Sequence, residues 1–114
     1  MPETARAYLD DLWETPRAAG VVAGFDEHVV GFALGRTEQR DRGQHFYLSE
    51  MCVLAEYQGR GVGKRLLAEL EATLKAQGVG KIYLLTARGG AAEAFYHACG
   101  FYSSEKTVML GKYL

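Results

Sequence analysis

The chain has 114 residues, 48% of them apolar and 24% charged, which is enough for one hydrophobic core and too little for two, so a single domain over residues 1–114 is expected. A formal net charge of -1 argues against a general basic field for nucleic acid or an anionic membrane, so any anion site must be local. No segment has the length of a membrane span and no leader pattern is seen. Cys52 and Cys99 have no zinc-spaced partners, so a cytoplasmic, soluble protein without disulfide framework or metal is expected.

In chain order, Pro2 and Pro16 bracket a segment in which Tyr8, Leu9, Leu12 and Trp13 share one side of a 3.6-residue period, and this predicts a helix. Two β-rich runs follow, Val21-Val22-Ala23-Gly24-Phe25 and Val29-Val30-Gly31-Phe32-Ala33-Leu34, separated by Asp26-Glu27-His28 as in a hairpin. Residues 36–44 are almost all polar and read as a loop, and residues 46–54 read as a buried strand with Ser49 and Glu50 inside it. Beyond a glycine-rich stretch, Val62, Leu66, Leu67, Leu70 and Leu74 recur at helical spacing until Gly78. Residues 81–87 predict a strand. Residues 91–99 predict a short helix with Ala92, Phe95, Ala98 and Cys99 on its apolar face and Gly100 as its stop, and residues 107–110 a closing strand. The order α-β-β-β-α-β-α-β describes an α/β fold with a mixed sheet and helices packed on it.

The stretch Gln58-Gly59-Arg60-Gly61-Val62-Gly63-Lys64 joins a predicted strand to the best-defined helix. The first N–H groups of a helix have no intrahelical partner and the dipole adds partial positive charge, so such a junction attracts phosphate. Glycines let the backbone approach a ligand, and Arg60, Lys64 and Arg65 add cations. Basic residues at a helix start oppose the dipole by about 0.3–1 kcal/mol each, which a bound anion would offset. A tight turn with solvated charges is the plainer alternative. A P-loop is excluded because Gln58 stands where its first glycine belongs and Arg65 follows Lys64 where a hydroxyl is needed. The dinucleotide fingerprint is excluded because its third glycine would fall on Lys64 or Leu66.

Gln58, Gly61 and Gly63 match the Q/R-x-x-G-x-G/A motif, and Ala92-Glu93-Ala94-Phe95-Tyr96-His97-Ala98-Cys99-Gly100-Phe101 matches A-x-x-F-Y-x-x-x-G-F downstream; with both motifs in order, the chain resembles the GNAT superfamily of N-acetyltransferases. The resemblance runs from about Val21 to the end of the chain. It implies a mixed sheet splayed open to admit acetyl-CoA, with Met51, Cys52 and Val53 in the strand whose backbone pairs with the pantetheine arm. Gln58, Gly59, Arg60, Gly61, Val62, Gly63 and Lys64 would then hold the pyrophosphate. Three departures are visible: Ala55 where the family often has Pro, Gly89 where an Asn often contacts the cofactor, and a segment before Val21 that is short for the family's first strand and two helices.

The implied activity is transfer of acetyl from acetyl-CoA to a primary amine by direct attack in a ternary complex, on a small molecule or a protein. Such transfer needs a neutral amine, a stabilised oxyanion and a proton for the departing thiolate. Tyr96, at the family's F-Y position, is the candidate general acid, with plain packing of Phe95-Tyr96 as the alternative. Glu50, a carboxylate in an apolar strand, is the candidate general base, or a surface charge if its side of the strand, shared by alternation with Leu48 and Cys52, faces solvent. The resemblance implies that the Val53 N–H stabilises the thioester carbonyl. Covalent catalysis at Cys52 is disfavoured, since a strand cysteine is usually a small buried apolar residue. His97, His28 and His45 carry no partner signal. A non-catalytic acyl-CoA-binding or partner-binding module is the alternative function, and a nucleotide binder a more distant one. A sheet without the family's first strand would expose an edge, and a homodimer is expected to cover it.

Overall fold

The computed structural model describes residues 10–114; Tyr8, Leu9 and the start of the predicted first helix lie outside them, and residues 10–14 are helical. Strands β1 (Ala18–Phe25) and β2 (His28–Arg40) form an antiparallel hairpin. Its turn is shorter than the predicted connection, because His28 already pairs with Phe25. Asp26 and Glu27 therefore carry the turn alone, with φ of 52° and 65°, a left-handed pair that matches the twist of the flanking strands.

The predicted polar loop over residues 36–44 is instead strand. β2 continues to Arg40, residues 41 and 42 turn, and β3 (Gly43–Val53) begins at Gly43, whose φ of 112° suits a residue without Cβ. Polar composition misleads here because these side chains satisfy one another. Glu38 accepts a hydrogen bond from the Tyr83 hydroxyl at 2.7 Å and lies 3.4 Å from Arg36 and 3.7 Å from Arg40. Burial, then the bond to Glu38, pushes the Tyr83 hydroxyl above its usual pKa.

β3 pairs with β2 antiparallel from Gly43 to Val53, and the register shifts between Leu34 and Gly35, where Leu34 faces Glu50 and Gly35 faces Leu48. Ser49 is thus the extra residue of a bulge. A Cβ on Gly35 would collide with the Tyr47 carbonyl oxygen, so β2 and β3 can approach this closely beside the bulge only without a side chain here.

α1 (Val62–Ala76) crosses back to β4 (Val79–Tyr83), which pairs parallel with β3, giving the sheet order β1-β2-β3-β4. Leu67, Leu70 and Leu74 of α1 are buried against Ala33, Phe46, Leu48 and Val79 of the sheet. Burying a leucine contributes about 1.5–3 kcal/mol, so this layer contact is the main apolar anchor of the fold. α2 (Ala91–Ala98) adds Phe95, Tyr96 and Cys99 to the edge of the core, and Gly78 and Gly100 end α1 and α2 at positive φ. No helix among the described residues is long and apolar enough to cross a membrane.

The closing strand over residues 107–110 does not form. Among the described residues β4 has no outer neighbour in the sheet, and Val108, Met109 and Leu110 are 74%, 69% and 86% exposed. β-propensity alone gives the segment no ladder; a strand needs a partner, and the tail runs apart from β4 across a cleft that both line.

Candidate active site

β3 pairs with β2 as far as Val53 but with β4 only from Gln44 to Tyr47. From residue 48 onward the β3 edge that faces β4 carries no ladder, and the sheet opens into a wedge. Met51, Cys52 and Val53 lie on this open stretch. The bulge at Ser49 resets the alternation there. Leu48 is buried in the core and Met51 packs on the same core, so Glu50 and Cys52 turn to the other face of the strand. The simple alternation that grouped Glu50 with Leu48 is thereby corrected. Cys52 is exposed rather than buried, another departure from the sequence reading.

A single 3₁₀ turn (Ala55–Tyr57) leads from β3 into the glycine loop. The Gln58 side-chain amide donates to the Val53 carbonyl at 2.9 Å and ties the loop to the strand end. Tyr57 is held from both sides, its ring 5.8 Å from that of Phe25 and 5.3 Å from the Arg60 guanidinium. Gly59 and Gly61 have φ of 76° and 82°, and a Cβ on either would meet nothing within 4 Å, so both face open space. Gly63 also has a packing task. A Cβ there would lie 3.1 Å from Phe95 and 3.2 Å from Met51, so this glycine lets α2 approach α1.

Gly61 is the N-cap of α1, with no side-chain cap and no acidic residue in the first turn. The first helical hydrogen bond runs from the Arg65 N–H to the Gly61 carbonyl at 3.0 Å, leaving the N–H groups of Val62, Gly63 and Lys64 without an intrahelical acceptor. Of the nearby cations Arg65 pairs with Glu69 at 3.7 Å, whereas Arg60 and Lys64 have no carboxylate partner among the described residues. Donors and positive charge therefore converge where the wedge ends.

The Tyr96 hydroxyl reaches the same wedge, 3.7 Å from the Met51 sulfur. Its ring lies 5.3 Å from both Phe95 and Phe101, so the phenol is fixed by aromatic packing and its polar end by a weak acceptor. Burial pushes its pKa above the usual value, with Cys99 and the Glu50 carboxylate adding to the rise. Glu50 is thus close enough to act on Tyr96 electrostatically, although the two come from β3 and α2.

The other candidates find structural partners or none. His97 is exposed and hydrogen-bonds Ser103 at 2.8 Å. The Gly89 N–H donates to Glu93 at 2.7 Å and closes the start of α2, so it serves the helix. No group of three metal-ligating side chains occurs among the described residues. The open edge over residues 48–53 was expected at Met51, Cys52 and Val53 only through the family resemblance and not from composition or periodicity, because which strand positions lack a neighbour is a property of β4's length and direction.

The fold recurs in solved structures. An aminoglycoside acetyltransferase from an uncultured soil metagenomic sample superposes with a TM-score of 0.80 at 17% identity, over 100% of this chain and 76% of that one. An aminoglycoside N-acetyltransferase solved with CoA gives a TM-score of 0.78 at 20% identity, over 97% and 87%. A ribosomal-protein-alanine N-acetyltransferase from Brucella melitensis gives 0.78 at 16% identity, over 94% and 79%. No curated protein sequence matches the chain significantly. Residues 2–101 match the acetyltransferase (GNAT) family, and the chain belongs to that family.

Proposed function

We propose that the protein transfers an acetyl group from acetyl-CoA to a primary amine by direct attack in a ternary complex. The observation that carries this reading is the unladdered β3 backbone of residues 48–53 running into the uncapped N-terminus of α1. The residues present fit the cosubstrate. A free strand edge offers N–H and C=O groups to an extended amide-bearing arm. The N–H groups of Val62, Gly63 and Lys64, with the Arg60 and Lys64 cations, suit a pyrophosphate, and open space at Gly59 and Gly61 lets it approach.

In this reading the Val53 N–H donates to the thioester carbonyl, Glu50 takes the amine proton and Tyr96 protonates the departing sulfur. A raised pKa keeps Tyr96 protonated, as an acid must be. Two of the structural neighbours are named N-acetyltransferases, one for an aminoglycoside and one for a ribosomal-protein alanine, which supports nitrogen as the acceptor atom. The reading includes a homodimer and a cytoplasmic location, the latter supported by two free cysteines.

Calorimetry with coenzyme A, combined with thiol release from acetyl-CoA over a panel of amines, tests it. Coenzyme A binding with turnover on at least one amine is expected. Binding without turnover on any amine would instead make the protein a non-catalytic acyl-CoA-binding module, and competition by ATP would make it a nucleotide binder.

A further inference from the structure

The wedge between β3 and β4 opens on both faces of the sheet. α1 packs on one of them, through Leu67, Leu70 and Leu74 against Ala33, Phe46 and Leu48, so the free N–H groups at its start serve a ligand entering from that side. The Tyr96 hydroxyl meets Met51 on the same side. Glu50 and Cys52 point the other way, so an acceptor that brings its amine to Glu50 enters across the opposite face.

Strand register builds that opposite face. Phe32 faces Cys52, Leu34 faces Glu50, Arg36 faces Tyr47, and Tyr47 faces Tyr83 at the last rung before the sheet opens. Paired residues share a face, which puts Leu34 beside Glu50, and Tyr47 one side-chain row away, about 7 Å along the strand. The Tyr47 and Tyr83 rings lie 4.9 Å apart, and the Tyr83 hydroxyl donates to Glu38 at 2.7 Å, so the platform next to the wedge is aromatic and fixed in place. Cys52 and Val22 are exposed, which leaves the face open to solutes.

Charge narrows the acceptor further. Glu38 already has two guanidiniums near it, Arg36 at 3.4 Å and Arg40 at 3.7 Å, besides the bond from Tyr83. Glu50 has no ion-pair partner among the described residues, so it is the carboxylate this face leaves for an amine. Arg36 is the diagonal neighbour of Glu50, about 7–8 Å away, and repels a second positive group on the same ligand. We infer that the acceptor is a monoamine carried on a flat apolar body, an arylalkylamine in chemical class, with its nitrogen at Glu50 and its ring on Leu34 and Tyr47. A ring with a two- or three-carbon arm spans the row between Tyr47 and Glu50, whereas polycationic amines find one free carboxylate and a surplus of guanidinium. This rests on the proposed acetyl transfer and deepens it by naming the substrate class, which separates the chain from the aminoglycoside acetyltransferases whose fold it shares.

Initial rates of thiol release from acetyl-CoA with 2-phenylethylamine, spermidine and kanamycin as acceptors test this, with coenzyme A binding followed by calorimetry. For the wild type, kcat/KM should be highest with 2-phenylethylamine, and this ranking decides without any variant. Tyr47→Leu should raise the KM for 2-phenylethylamine about three- to tenfold, the range of one aromatic contact, with coenzyme A affinity unchanged. Arg36→Glu replaces a repelling charge with an attracting one, so kcat/KM for spermidine should rise about tenfold, a gain that added salt removes. A wild type that prefers spermidine or kanamycin, a KM unmoved by Tyr47→Leu, or spermidine turnover unmoved by Arg36→Glu would each overturn the inference. Coenzyme A binding with none of the three amines acetylated would also overturn it and leave the cosubstrate site standing. Absence of coenzyme A binding would instead count against the acetyl-CoA reading itself.

Discussion

The Gln58 side-chain amide donates to the Val53 carbonyl at 2.9 Å, so the residue that opens the glycine loop is fastened to the last residue of the strand before it. One bond thus sets the angle between the open β3 edge and the free N–H groups of α1. A neutral hydrogen bond contributes about 0.5–1.5 kcal/mol. Gln58→Leu should therefore weaken coenzyme A binding by up to about tenfold in calorimetry, with the melting temperature nearly unchanged because the loop is exposed.

Tyr96→Phe removes the proposed proton donor while keeping the aromatic packing against Phe95 and Phe101. kcat should fall by about 10²–10⁴-fold with coenzyme A affinity retained, since general acid catalysis contributes in that range. Unchanged turnover would reduce Tyr96 to a packing residue.

The pH dependence of Tyr96 has a defined sign. Its folded pKa lies above the ordinary 10.0, so folding favours the neutral phenol. That contribution to stability is fully present below pH 10 and is lost as pH rises through the folded value. Glu50→Gln removes a charge that raises it, so the Tyr96 pKa should drop toward the ordinary value. Ultraviolet titration of the variant against a Glu50→Gln, Tyr96→Phe double variant reads this shift, and no shift would mean the two groups do not communicate. The same Glu50→Gln variant should lose turnover if the carboxylate takes the amine proton.

Gly35→Ala places a methyl against the Tyr47 carbonyl, with the Phe46 ring 2.8 Å away, and backbone on both strands must move to admit it. Chemical denaturation should show a loss of about 1–3 kcal/mol or more. Because the bulge at Ser49 orients Glu50, activity should fall along with stability.

The hairpin turn offers the opposite test. Glu27 holds a φ of 65° that a side chain disfavours by about 1–2 kcal/mol, and glycine recovers this less about 0.5–1 kcal/mol of chain entropy. Glu27→Gly should thus raise the denaturation midpoint slightly without touching the site.

Much of this was legible in the chain itself. The leucines of α1 repeat every three or four residues, and Gly78 and Gly100 stand where helices stop, so both helices were readable from local periodicity and backbone freedom. The glycine loop was equally readable as the junction between a strand and a helix start, because strand, glycines and helix start are contiguous. What failed was what depends on distant partners. Residues 36–40 are polar yet form strand because Tyr83, far along the chain, supplies a partner for Glu38. Residues 107–110 are strand-like yet stay unladdered because no strand among the described residues pairs with them.

By itself the sequence determined the mixed α/β class, the two helices and the loop that would hold phosphate, since each follows from residues adjacent or one helical turn apart. Only tertiary structure decided which edge of β3 stands open, that a bulge turns Glu50 away from Leu48, and that Tyr96 meets Met51 across 45 residues of chain. The physical reason is that a ladder, a register shift and an interhelical approach such as Gly63 on Phe95 are pairings between segments. No segment carries in its own composition the length, direction or bend of the one it will meet.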